Sequence, residues 1–359
     1  MAVLAAVVAV VVIGHGNNPP RAHPTSTSPA STSPASTGAA STGTVSTGTV
    51  STGEAGPHLL GVRGSWELFG YAPGLVVRIQ FASGRITRTA VPPVESGGPV
   101  SFVVGPHEAV IRPLDFVPGY LVPDGRPARP LTGALGNGGI VIPGPQAGTA
   151  WVQAGFQVSS IPLVRMDGTE TGMSLRLPPG GPWQAASDGR GGVLVVDYSG
   201  GTYDDLRPGG FQRIAGTVAA VGPTRWLVVD CHAGHRCSDA VVDPETGARH
   251  TLPGPSPEPL AGAAPGVIAP DGSAAAIAAA SGDRVTLHLL NLVSGSDRQV
   301  SVPLDAKSAA DQRLAWSPDS RWLFVVTAQG KLAAVDARTG HVDGLGGSLP
   351  TLSLIAVRN

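Results

Sequence analysis

Leu314-Ala-Trp316-Ser-Pro318-Asp319-Ser320-Arg321-Trp322-Leu-Phe-Val-Val-Thr327, continued by Lys331-Leu-Ala-Ala-Val-Asp336-Ala-Arg-Thr339-Gly340, holds the plan of the whole chain. Short apolar runs are broken at Pro-Asp-Ser, Ala-Gln-Gly and Asp-Ala-Arg-Thr-Gly. That pattern predicts four antiparallel strands, because Asp and Ser side chains cap tight turns and Gly takes the positive-φ position. The same grammar recurs upstream, in Ala269-Pro270-Asp271-Gly272 before Ala274 to Ile277 and in Ser187-Asp188-Gly189 before Val193 to Val196. Glycines of the turn between third and fourth strands fall at 84, 125, 168, 209, 247, 295 and 340, so their spacings are 41, 43, 41, 38, 48 and 45. Seven units fit.

Tryptophan supplies an independent check. Trp66, Trp151, Trp226 and Trp322 each open a second strand, two repeats apart, while Trp183 and Trp316 lie in first strands three repeats apart. A period of 40 to 45 with four strands per unit is the mark of a β-propeller. The expectation is an all-β, seven-bladed β-propeller of four-stranded antiparallel blades over residues 58–359. The final segment, Leu349 to Val357, is expected to supply the first strand of the N-terminal blade and so close the ring.

Composition agrees and excludes other classes. The 359 residues are 42% hydrophobic and 14% charged, with 50 Gly and 34 Pro, which suits many short strands and disfavours helices. Twenty-four basic against 25 acidic residues leave a formal charge of -1, without the basic face that nucleic-acid binding needs. Two cysteines exclude a disulfide-framed mini-protein and a multi-zinc module.

The N-terminal segment, residues 1–16, contains twelve consecutive apolar residues, Ala2 to Ile13. As a helix they span about 18 Å, short of a hydrocarbon core of about 30 Å, which fits a signal or signal-anchor segment whose true start lies upstream. Residues 17–57 form a stalk. Between Thr25 and Gly53, 17 of 29 residues are Ser or Thr and the rest are Pro, Ala, Gly and Val, so this stretch is expected to be disordered. Ser/Thr with Pro is also the composition of O-glycosylated stalks, and a bare flexible linker is the alternative. Either way the propeller is expected outside the cytoplasm, held to the cell membrane by its N-terminal segment or secreted.

Trp316-Ser-Pro-Asp-Ser-Arg-Trp322 and Ala269-Pro-Asp-Gly272 resemble the PD-type repeat of TolB-like and WD-repeat-like propellers, with Ser187-Asp-Gly189 as a weaker third. The resemblance covers most of 58–359 as architecture and implies an exported or membrane-anchored bacterial type. It implies no single activity. Asp243-Pro-Glu-Thr-Gly247 and Asp336-Ala-Arg-Thr-Gly340 also resemble the D-x-x-T-G element of quinoprotein propellers. The Trp that follows in that family is absent here, so hairpin turns are the simpler reading.

Chemistry is sparser. Cys231-His232-Ala-Gly-His235-Arg-Cys237 places four possible metal ligands in seven residues, but a lone cysteine pair in an exported chain points to a Cys231–Cys237 disulfide, and no metal is assigned. Asp197 and Asp230 each follow a Val-Val at the end of a second strand in neighbouring units. With Tyr198, Tyr203, Asp204, Asp205, His232 and His235 they form the most polar and aromatic neighbourhood of the chain, a candidate ligand site at one mouth of the ring. Turn-capping is the plainer role for those aspartates. No nucleophile elbow, Walker loop or H-E-x-x-H is present, and no cofactor is expected. The leading expectation is a monomeric interaction module for a protein, peptide or glycan. An extracytoplasmic propeller enzyme (lyase, hydrolase or degenerate quinoprotein) and a structural envelope component are the alternatives.

Overall fold

The computed structural model describes residues 50–52, 59–94, 99–114, 117–137, 139–197, 203–232, 236–254, 265–281, 284–304, 312–345 and 348–358. In chain order the strands are β1 (Val50–Thr52), β2 (Glu67–Ala72), β3 (Leu75–Gln80), β4 (Arg85–Ala90), β5 (Val100–Val104), β6 (Glu108–Pro113), β7 (Tyr120–Pro123) and β8 (Arg129–Pro130). There follow β9 (Ile140–Pro143), β10 (Thr149–Gln153), β11 (Ser160–Arg165), β12 (Glu170–Arg176), β13 (Trp183–Ser187), β14 (Val193–Asp197), β15 (Tyr203–Arg207) and β16 (Gly210–Ile214). The remainder are β17 (Thr217–Val221), β18 (Trp226–His232), β19 (Arg236–Val242), β20 (Arg249–Thr251), β21 (Gly266–Ile268), β22 (Ala274–Ser281), β23 (Arg284–Asn291), β24 (Asp297–Leu304), β25 (Leu314–Trp316), β26 (Trp322–Val326), β27 (Leu332–Asp336), β28 (Val342–Gly344) and β29 (Leu354–Arg358).

The strands form an all-β propeller arrangement of mostly four-stranded antiparallel blades. Four sheets, β5–β8, β9–β12, β13–β16 and β25–β28, each have four consecutive strands. A fifth is ordered β1-β4-β3-β2-β29, so the C-terminal strand does enter the N-terminal blade, pairing antiparallel with β2 from Glu67 opposite Arg358 to Tyr71 opposite Leu354. The expectation of seven separate four-stranded sheets is corrected here. Five blades stand as discrete sheets, while β17 to β24 form one eight-stranded sheet whose two halves join through a short parallel bridge, Ala220 to Gly266 and Val221 to Val267. The bridge arises where Gly222 brings the backbone close: a Cβ there would meet Ile268 Cβ at 2.6 Å. Val50–Thr52, within the segment read as a disordered stalk, forms the outermost strand against Thr87–Thr89, consistent with its β-branched residues. Segments 1–16 and the rest of 17–57 lie outside the described residues.

The turn reading carries through locally. All seven turn glycines have positive φ, from 63° at Gly84 to 91° at Gly168. In the PD unit, Ser317 Oγ accepts from Trp322 N at 2.9 Å, and Asp336 Oδ1 accepts from Arg338 N at 3.0 Å and Thr339 N at 2.9 Å.

Apolar faces of neighbouring sheets share cores, as period-2 strands buried on both sides must. Trp66, Leu68 and Phe81 pack with Trp322 and Phe324 across the closure. Trp151 and Leu163 pack with Trp183 and Val195, and Leu194 with Val218, Trp226 and Val228. Polar staples add register between sheets. Gln153, 1% exposed, donates to Trp183 O and accepts from Ala185 N. Trp151 Nε1 donates to Gly191 O and Trp226 Nε1 to Asp188 O, both at 2.8 Å, so two sheets grip the one turn between β13 and β14.

Candidate functional site

The densest set of charged side chains among the described residues surrounds β13–β16. Strand alternation sorts them onto two faces. Asp204 shares its face with Leu206, which packs toward the preceding sheet with Trp151 and Leu163. Asp205 shares its face with Tyr203, which packs toward the following sheet with Trp226 and Val228.

On the first face Asp204 is fully buried and takes both Nε and Nη2 of Arg213, directly opposite it on β16, at 2.5 and 3.1 Å. This bidentate pair pushes the exposed Arg213 guanidinium above its ordinary value, and the charge of Asp197 adds to the effect. On the second face Asp205, 2% exposed, accepts from Arg207 Nε at 2.9 Å and lies 3.9 Å from Arg190. Burial pushes its carboxyl up, and the two guanidinium groups only partly counter that. Arg190 also approaches Asp188 at 3.3 Å and sits 5.4 Å above the Trp226 ring. Burial likewise raises the Tyr203 phenol.

Between β15–β16 and β18–β20 lies a cleft of about 200 Å³. Its polar lining is Asp205, Arg207, Gln212, Arg213, Asp243 and Arg249, against Ile214, Val242 and Pro244. Arg207 spans it, donating from Nη2 to Pro244 O at 3.0 Å, and Arg249 Nη2 donates to Ala215 O at 3.2 Å. Asp243 Oδ1 accepts from the backbone N–H groups of Thr246 and Glu245, at 3.0 and 2.8 Å, which holds this exposed carboxylate below its usual range.

The structure thus divides the residues singled out from sequence. Tyr203 and Asp205 face the cleft side. Asp230 shares its face with Val228, and its carboxylate lies 3.9 Å from Arg249, so it belongs to the same side. Asp197 and Asp204 lie on the other side of the fourth sheet. Asp197 and Asp230 take equivalent faces, each turned to the sheet preceding its own, with Val195 and Val228 respectively, so the fourth sheet itself stands between them. Tyr198 and His235 lie outside the described residues, and His232 is placed only as the last residue of β18, opposite Arg236. Cys231 stands directly opposite Cys237 in the same ladder. Sequence reasoning missed Arg190, Arg207, Gln212 and Arg249. The available signal was the buried acids themselves, since a carboxylate in a strand interior requires a cation.

No protein-family model matches the chain, and no curated protein matches it. Solved structures do. A functionally unknown protein from Desulfotomaculum acetoxidans superposes with a TM-score of 0.53 at 13% identity, over 81% of this chain and 98% of that one. A Bacteroides fragilis protein described as a candidate 6-phosphogluconolactonase gives 0.53 at 9% identity, over 83% and 99%. A Lactobacillus plantarum protein gives 0.52 at 13% identity, over 82% and 99%. At these identities the likeness shows the β-propeller fold alone.

Proposed function

We propose that this chain is an extracytoplasmic, membrane-tethered interaction module of the TolB-like or WD-repeat-like kind, which binds a protein, peptide or glycan through the cleft beside its fourth sheet. We count the eight-stranded sheet as two blades, giving a seven-bladed ring. Tethering rests on the apolar run Ala2 to Ile13 and the Ser/Thr-rich stretch after it; among the described residues no helix is long and apolar enough to cross a membrane. The observation that carries the binding reading is the cleft, where Arg207 is fixed by buried Asp205 and Arg249 by the Ala215 carbonyl while both keep donors toward solvent. Side chains of Arg207 and Arg249 are 42% and 33% exposed.

The test is saturable binding by the full chain in nanodiscs to peptide and glycan arrays. Binding that disappears in the Arg249→Gln, Asp243→Asn double variant supports the module. Absence of any saturable ligand, or binding indifferent to those changes, overturns it. Within the same reading Cys231 and Cys237 form a disulfide, supported by their opposed register. An intact mass two hydrogens below the reduced value checks it.

The enzyme alternative has one observation in its favour. His288, 6% exposed, links Asp297 Oδ2 through Nδ1 at 2.7 Å and Thr286 Oγ1 through Nε2 at 2.9 Å. A threonine, histidine and aspartate in that order have the geometry of a nucleophile, base and orienting group. Acylation of Thr286 by an activated ester, lost in Thr286→Val, would favour it; an unlabelled Thr286 removes its support.

A further inference from the structure

We propose that the cleft takes a neutral sugar residue of a glycan, held by its vicinal hydroxyls. This deepens the binding reading above and rests on it. The argument begins with charge. The lining holds Arg207, Arg213 and Arg249 with the carboxylates Asp205 and Asp243 and the amide Gln212; Arg213 is matched by its bidentate pair with Asp204, which leaves two guanidiniums against two carboxylates. An added carboxylate would face Asp243, which its backbone hydrogen bonds keep ionised, and an added cation would face the two arginines. A neutral ligand disturbs neither balance.

Hydrogen-bond inventory points the same way. Among the described residues Arg207 uses Nε on Asp205 and Nη2 on Pro244 O, with Nη1 unspent, and Arg249 bonds only through Nη2. Asp243 spends Oδ1 on the turn, and the side-chain amide of Gln212 makes no hydrogen bond among the described residues. The cleft therefore offers guanidinium donors, a carboxylate acceptor and an amide that is both. A hydroxyl that donates to a carboxylate while accepting from a guanidinium satisfies both neighbours, and adjacent hydroxyls repeat the arrangement. Ile214, Val242 and Pro244 supply apolar surface for the C–H face of a ring. A volume of about 200 Å³ suits one residue of a chain whose ends continue into solvent.

The test uses the full chain in nanodiscs and fixed probes: tetramers of glucose and of N-acetylglucosamine, a tetragalacturonate, and Glu-rich and Lys-rich nonapeptides. Asp243→Asn is informative because the equivalent turn of the next unit is capped by an asparagine, with Asn291 Oδ1 accepting from Val293 N and Ser294 N. The expected result is saturable binding of a neutral tetramer, weakened at least about tenfold by Asp243→Asn or Gln212→Ala, which is about 1.4 kcal/mol. Phe211→Ser, on the opposite face of β16, is expected to change it less than about twofold. Preference for the uronate or a peptide through the same residues overturns the neutral-sugar assignment and leaves the module standing. Sugar binding indifferent to both cleft variants overturns the site. No saturable binding to any probe or to the wider arrays overturns both readings.

Discussion

Two clusters in this molecule use the same chemistry, arginines on carboxylates, to different ends. At the closure Arg358, on the C-terminal strand, donates from Nε to Glu67 Oε2 at 3.0 Å and from Nη2 to Asp124 Oδ2 at 2.7 Å, and also bonds Gly105 O at 3.3 Å. Its guanidinium lies 4.5 Å above the Phe69 ring, and Glu67 takes further hydrogen bonds from Arg78 and Gln80. Both Arg358 and Glu67 side chains are 9% exposed. At the fourth sheet the acids are just as buried, but Arg213 and Arg207 are 55% and 42% exposed. Every nitrogen of Arg358 is spent on Glu67, Asp124 or Gly105 O, so that guanidinium serves to hold two sheets together. A cluster whose cations reach solvent with donors unspent can also bind.

The largest effect should come from deleting residues 354–358. This strips β2 of its outer partner, leaving it an open edge, and removes Leu354 and Ile355 from the cores on either side, so cooperative urea unfolding is expected to be lost. Arg358→Ala should cost about 1.5–3 kcal/mol, because Glu67 and Asp124 lose a charged donor while Arg78 still pairs with both. If that variant unfolds like the parent in urea, the closure cluster is not structural. Trp226→Phe keeps the ring but orphans Asp188 O, with about 1 kcal/mol expected in the same assay.

Titration separates the clusters by sign. Burial pushes Glu67 up, yet hydrogen bonds from Arg78, Gln80 and Arg358 outweigh it and hold the group below its ordinary 4.5. Its stabilisation is present above that value and is lost as pH falls through the lowered folded pKa. For Asp205, burial wins and raises the folded pKa above the ordinary 3.8, so its contribution is present below that value and is lost as pH rises through the folded pKa. Urea melts from about pH 3 to 7 should therefore show Glu67→Gln losing ground to the parent as pH rises, and Asp205→Asn gaining it. Parallel profiles would erase the distinction. Phe211→Ser, at an exposed edge position, should move stability by no more than about 0.5 kcal/mol.

Much of the architecture was legible because turns announce themselves locally. Gly84 and its six counterparts take positive φ for reasons contained in each hairpin, and the second-strand tryptophans mark a register repeated along the chain. The C-terminal strand was legible too, since an apolar run after the last complete unit leaves one first strand to supply. The eight-stranded sheet was not. It depends on how closely two first strands approach at Gly222, a distance set by packing between sheets.

For the candidate site the line falls between residue type and face. Residue order alone gathers acids and tyrosines at the end of the second and in the third strands of the central units, and sets a cysteine pair on either side of one hairpin. Packing of the sheets is what assigns Arg213 to Asp204 and Arg207 to Asp205 on opposite sides, and what sets the fourth sheet between Asp197 and Asp230. Residue order specifies which groups alternate, but their partners come from whichever neighbouring sheet each face is packed against. A one-residue shift in register changes every one of those partners without changing the repeat.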